Sequence, residues 1–247
     1  MAFASGMIST QGKTFGINSR TAQSAGLKSL DRKEGFLIMH PDTRKVAAHM
    51  KEFGLNLMGR AIYDATFSEM CRPFAYASTV TIAAQAAEIL IKARISQEHP
   101  LLIFSKLPSL LNTKELLKLS DLFGSGRSYT YEELPNVLWA TTGIQICNIE
   151  VYRSFGRLRN NIMHFAVPDR ELSKETLTFC MTVMEPLLEA FWDETAIPYA
   201  EEWDESILSD GYLQEQIICN NISLTPKSEA ALKHGQVGCA SQKSVSQ

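Results

Sequence analysis

The chain of 247 residues is long enough to bury a substantial core, so it needs no disulfide or metal staple to fold. Its composition, 45% hydrophobic and 21% charged, excludes a disordered or collagen-like chain. With 24 Lys and Arg against 27 Asp and Glu there is no global positive field, so any contact with a polyanion has to be local. Five scattered cysteines without a C-x-x-C pair argue against a disulfide framework or a zinc cluster and fit a reducing, cytoplasmic setting. The N-terminus has no basic stretch leading into an apolar one, so it does not read as a signal peptide. The least charged run, Pro73 to Ala87, is broken by Ser78, Thr79, Thr81 and Gln85 and falls short of the roughly 20 apolar residues a bilayer needs. It predicts a buried helix and no membrane partner.

Residues 1 to about 30 lack periodicity and read as a loose arm. Val46, Met50, Phe53 and Leu57 recur with helical spacing, and Pro41-Asp42 is a plausible helix start. The strongest pattern opens at Pro73 and runs through alanine-rich turns to about Glu98, where His99-Pro100 ends it. An amphipathic stretch, Thr113 to Phe123, is closed by Gly124-Ser125-Gly126, which reads as a turn because the Lys-Ser/Thr of a phosphate-binding loop is missing. Thr130-x-x-Glu133 is a capping box before a helix through Trp139. From Ile144 to Phe165, Val151, Phe155, Leu158, Ile162 and Phe165 form a core-facing stripe, ended by Val167-Pro168-Asp169. Ser173 is placed to cap a last helix through Phe191, with a kink at Pro186. No strand is expected between 70 and 195. The fold class is all-α, with an N-terminal extension over 1–65, a helical domain over 70–195, and an acidic segment with a disordered tail over 196–247.

The polar side of the Ile144–Phe165 helix reads Arg153-Ser-Phe-Gly-Arg157-Leu-Arg159-Asn160-Asn161-Ile-Met-His164, three arginines and a histidine without an acid among them. At about 100° per residue, Arg153, Arg157, Asn160 and His164 share one ridge, while Arg159 falls across the apolar stripe, about 140° from His164. Imidazole beside guanidinium is suited to metal-free cleavage of RNA. Histidine moves the proton of the 2′-hydroxyl or of the leaving 5′-oxygen, and arginine steadies charge on the phosphorus. No dense ligand set for a metal is visible and no cofactor is called for. A solvated basic face is the simpler alternative.

Arg159-Asn160-x-x-x-His164 resembles the R-x(4–6)-H signature of the HEPN superfamily (higher eukaryotes and prokaryotes nucleotide-binding domains), at the end of a late bundle helix. The helix bearing Glu88-x-x-x-Lys92, followed by His99-Pro-Leu-Leu-Ile-Phe104, is similar to the first helix of such domains. The resemblance covers about residues 70–195. It implies a HEPN-like helical bundle that dimerises into a composite, metal-independent endoribonuclease, leaving a 2′,3′-cyclic phosphate and common in bacterial toxin or anti-phage systems. On that reading Arg159 holds phosphate, Asn160 orients the histidine or the substrate and His164 is the acid/base. Arg157, Arg153 and Asn161 line the substrate path, and Glu88 and Lys92 stand as supporting residues. Arg157 is also within the motif's spacing, so either arginine fits. The tyrosine that one toxin branch carries two residues after the histidine is Ala166 here, which does not support control by its modification. An antitoxin or other regulatory protein is a further partner. The alternative is a non-catalytic module binding RNA, a nucleotide or a protein through the same ridge.

Overall fold

Alanine-rich and glycine-bearing sequences let helix backbones approach closely, and this chain uses that device at its centre. The computed structural model describes residues 41–67, 74–109, 117–168 and 170–243, with side chains as far as His234, all within the unit Ile38–Gln247. The N-terminal arm, Cys71, Pro73 and the start of the Thr113–Phe123 pattern lie outside the described residues. Helix α1 (Val46–Phe67) follows a short 3₁₀ turn, Pro41–Lys45, and packs along α2 (Ala75–Glu98). On α2, Ala83, Ala84, Ala86, Ala87 and Ala93 are all buried. On α1, a Cβ at Gly54 would stand 2.7 Å from the Leu90 side chain. The α1–α2 contact therefore depends on small residues on both partners.

The sequence boundary after residue 65 assigns α1 to an extension, but Leu55, Met58, Ala61 and Ile62 are buried in the same core as Val80, Leu90 and Ile91. Burial of that stripe joins α1 to the bundle. After a 3₁₀ turn over Pro100–Ile103, the chain forms a strand, β1 (Phe104–Lys106). A short helix, α3 (Leu119–Ser125), leads into β2 (Arg127–Ser128), antiparallel to β1. This two-stranded pair corrects the expectation of no strand. Gly126 joins α3 to β2 where a Cβ would meet the Leu122 carbonyl at 2.6 Å.

Only half of the Thr130–Glu133 box forms: the Thr130 N–H donates to Glu133 Oε2 at 2.8 Å, but the Thr130 hydroxyl donates to the same oxygen at 2.8 Å instead of accepting the Glu133 N–H, and α4 (Leu134–Thr142) starts from Glu133 without a side-chain cap. Those two hydrogen bonds hold the Glu133 carboxyl below the usual carboxylate range. Helix α5 (Ile149–His164) is the long two-faced helix, and Tyr152, Phe155 and Leu158 enter the core. Phe165, counted with the core stripe, is instead 86% exposed, because the backbone leaves helical geometry there at φ −131° and ψ −78°.

Ser173 does not cap α6 (Leu172–Phe179); its hydroxyl donates to the Ala65 carbonyl at 2.6 Å and ties α6 to α1. The disturbance expected at Pro186 takes the form of a π-turn, Cys180–Met184, ahead of α7 (Glu185–Trp192). Pro186 has no N–H for the Thr182 carbonyl. The Glu185 N–H reaches back to the Cys180 carbonyl, and Asn148 Nδ2, at the start of α5, donates to the freed Thr182 carbonyl at 2.7 Å.

The segment expected as an acidic run and disordered tail is helical through Lys243: α8 (Ile197–Glu201), α9 (Ser206–Ser209), α10 (Tyr212–Cys219) and α11 (Pro226–Lys243). Ile197, Ala200, Ile207 and Leu213 are fully buried. Glu185 anchors the tail, accepting from the Ala196 N–H at 2.9 Å and from Ser228 Oγ at 2.7 Å. Desolvation in that setting raises the Glu185 carboxyl above its ordinary value. The architecture is all-α apart from the β1–β2 pair, and among the described residues no helix is long and apolar enough to cross a membrane.

Candidate nucleic-acid interface on α5

The orientation of α5 is set from its buried side. Tyr152 and Tyr131 stack with ring centres 4.2 Å apart and planes 5° from parallel. Each hydroxyl donates to the other residue's backbone carbonyl, Tyr131 to Tyr152 at 3.2 Å and Tyr152 to Tyr131 at 2.8 Å. Burial pushes both phenols well above their ordinary value, so they act as locked donors. The stack needs Gly156, where a Cβ would come within 2.6 Å of the Tyr131 ring. Phe155 stacks on Phe179 at 4.0 Å and completes the seat.

With that face buried, Arg153, Arg157, Asn161 and His164 are exposed. Arg153 pairs with Glu150 at 3.0 Å. Neither Arg157 nor His164 has a carboxylate partner among the described residues. Arg159 lies across the stripe, as its spacing predicts, and is partly buried. Its Nη1 donates to Asn160 Oδ1 at 2.9 Å, so the Asn160 amide holds the guanidinium. Arg159 Nε is buried without a hydrogen-bond partner, and no carboxylate neutralises this arginine among the described residues. Its positive charge is felt at the buried Tyr131 hydroxyl. Arg159 and His164 share no hydrogen bond within the chain.

Glu88 and Lys92 are not part of that ridge. Lys92 Nζ donates to Glu88 Oε1 at 2.6 Å and to Ser128 Oγ at 3.1 Å, so the pair fastens α2 to β2. Sequence spacing alone finds the i, i+4 pair but not Ser128, since only tertiary pairing brings β2 there. Sequence reasoning also misses that large apolar side chains stand exposed, Met163 among them next to His164 in the chain. Phe74 is 70% exposed and Met163 is 54% exposed, and Met163 Sδ receives the Thr81 hydroxyl at 3.8 Å. Phe74 sits at the α2 N-cap in left-handed geometry, φ 70°. No three His, Cys, Asp or Glu side chains among the described residues cluster as metal ligands do. Comparison with protein-family models, with curated proteins and with solved structures finds no match for this chain.

Proposed function

We propose that the chain is a metal-independent endoribonuclease of HEPN type, with Arg159, Asn160 and His164 as its working residues. The observation that carries this reading is the state of Arg159: a partly buried guanidinium with no carboxylate partner among the described residues, held by the amide of Asn160. A cation fixed before substrate arrives stabilises charge on phosphorus without further reorganisation. In the reaction His164 takes the 2′-hydroxyl proton, and the 2′-oxygen bonds to phosphorus. The bond to the 5′-oxygen breaks, and an imidazolium protonates that oxygen. The products are a 2′,3′-cyclic phosphate and a 5′-hydroxyl. Arg157 and Asn161 contact the RNA backbone beside this centre.

Because Arg159 and His164 share no hydrogen bond within one chain and lie about 140° apart on α5, we assign the complete site to two copies facing each other across the ridge. The exposed Met163 and Phe165, which flank His164 in the chain, support an apolar contact there. The test is cleavage of total RNA in EDTA by the purified protein, beside His164→Ala and Arg159→Ala, with fragment ends assayed for cyclic phosphate and mass measured by light scattering. Cleavage by wild type alone, from a dimer, is the expected result. A folded dimer that binds but never cuts RNA would instead identify a binding module, and a strict monomer would remove the composite site.

A further inference from the structure

Away from the α5 ridge, the start of α1, the C-terminal half of α2, β1 and α3 enclose a cavity of about 610 Å³, none of whose lining residues belongs to α5. That volume is in the range of small-molecule sites. Its walls are apolar, formed by Val46, Met50, Ile89, Ile103, Phe104 and Leu122. At its edge Phe53 and Phe123 remain 46% and 78% exposed. Large apolar side chains left uncovered at a concave mouth are a surface that a ligand completes.

The polar side chains of the lining fall in two groups, Asp42, Thr43, Lys45 and His49 on the 3₁₀ turn and the start of α1, and Glu88, Lys92 and Ser128 on α2 and β2. Glu88, Lys92 and Ser128 form one cluster on the wall, and the Lys92 side chain is only 8% exposed. An ammonium has three N–H donors. Those of Lys92 meet Glu88 Oε1 and Ser128 Oγ among the described residues, and since Lys92 lines the cavity its third is the one an acceptor bound there would take. Formal charge on the lining cancels, Lys45 and Lys92 against Asp42 and Glu88. An anionic head would compete with Glu88 for Lys92, and a cationic head would compete with Lys92 for Glu88. Either would leave a charge poorly compensated in a largely apolar enclosure, which is costly. An oxygen that is neutral and accepts one hydrogen bond meets neither penalty.

We propose that this cavity binds an uncharged amphiphile, an apolar chain or ring carrying one hydroxyl or carbonyl oxygen that accepts from Lys92 Nζ. The inference is independent of the ribonuclease reading, since no α5 residue takes part.

Calorimetric titration of the full chain with 1-decanol, decanoate and decylammonium, each below its micelle concentration, tests it with one tail and three heads. Saturable binding of decanol at least tenfold tighter than either charged compound is expected. Met50→Trp, which fills the cavity, should weaken decanol binding at least tenfold. Should that variant misfold by circular dichroism, Phe53→Glu at the exposed rim serves instead, with several-fold weaker binding expected. No saturable binding of decanol, tighter binding of either charged compound, or unchanged decanol affinity in the folded variant would overturn the proposal.

Discussion

Helices α2 and α5 both carry charge, and they dispose of it in opposite ways. On α2, Lys92 is paired with Glu88 at 2.6 Å and Arg94 with Glu98 at 2.8 Å, each one turn apart, in a helix otherwise packed on nearly every side. On α5 only Arg153 has such a partner, while Arg157, Arg159 and His164 have no carboxylate among the described residues. Neutralised charges hold a helix in place; charges left open are available to something outside the chain. On the function proposed above, the difference separates a structural helix from one offered to a polyanion.

If that division is right, changes on α5 should remove activity without touching stability, and changes on α2 the reverse. The largest effect is expected for His164→Ala. RNA cleavage should fall by about 10²–10⁴-fold, as removal of a proton-transferring group does, with a melting curve that overlays wild type because the side chain is exposed. The counterpart is Leu90→Ala, at a fully buried position against α1. Unfolding stability should drop by about 2–5 kcal/mol, read by urea denaturation, while the cleavage rate of the folded fraction stays unchanged. A stable Leu90→Ala protein that had lost cleavage would erase the distinction between the two helices.

The two helices also differ in how far sequence alone describes them. The α5 stripe is legible in part, because Phe155 and Leu158 obey helical spacing and are buried while Tyr152 falls outside the spacing read, and the Thr130–Glu133 contact is legible because it is local. The run of basic residues with no acid among them is legible for the same reason. What depends on partners distant in sequence is not. β1 and β2 are too short to show alternation; their pairing joins Phe104 to Ser128, 24 positions apart, and Lys92 fastens only β2 to α2. Ser173 reads as a cap until the Ala65 carbonyl, 108 residues away, claims its hydroxyl. Helix α11 is mostly polar and weakly patterned in sequence, and its burial rests on Ser228 meeting Glu185 and on Leu232. The hold of Asn160 on Arg159 is a rotamer choice that periodicity does not contain.

Glu185 offers a third way to hold charge, a carboxyl buried without a cation. Its folded pKa is raised by desolvation, so the folded state holds this proton more tightly than the unfolded chain does. The stabilisation is present below the unfolded value of 4.5 and is lost as pH rises through the raised folded value. Glu185→Gln keeps an acceptor for the Ala196 N–H and offers a donor to Ser228 Oγ, so the part of the pH slope above 4.5 due to this group should vanish in thermal melts. Glu185→Leu leaves both partners unmet and should cost about 1–3 kcal/mol. A pH profile unchanged in the Gln variant would show that the carboxyl stays ionised throughout.

The finest division lies within α5 itself, between Arg153 and Arg157. Both are exposed on the same ridge, but Arg153 already has Glu150 at 3.0 Å and Arg157 has no such partner. The Arg153–Glu150 pair is solvent-exposed and contributes little to stability, about 0–1 kcal/mol, so neither alanine variant should shift the melting point appreciably. Their effects on RNA should differ, however. Arg157→Ala, made in the non-cleaving His164→Ala protein, removes an uncompensated positive charge and should weaken binding of single-stranded RNA several-fold and flatten its salt dependence. Arg153→Ala removes a charge that Glu150 partly cancels, so the same fluorescence-anisotropy titration should show a smaller loss. Equal losses would mean that RNA displaces Glu150 on binding and takes both arginines, extending the polyanion's path one full turn further up the helix.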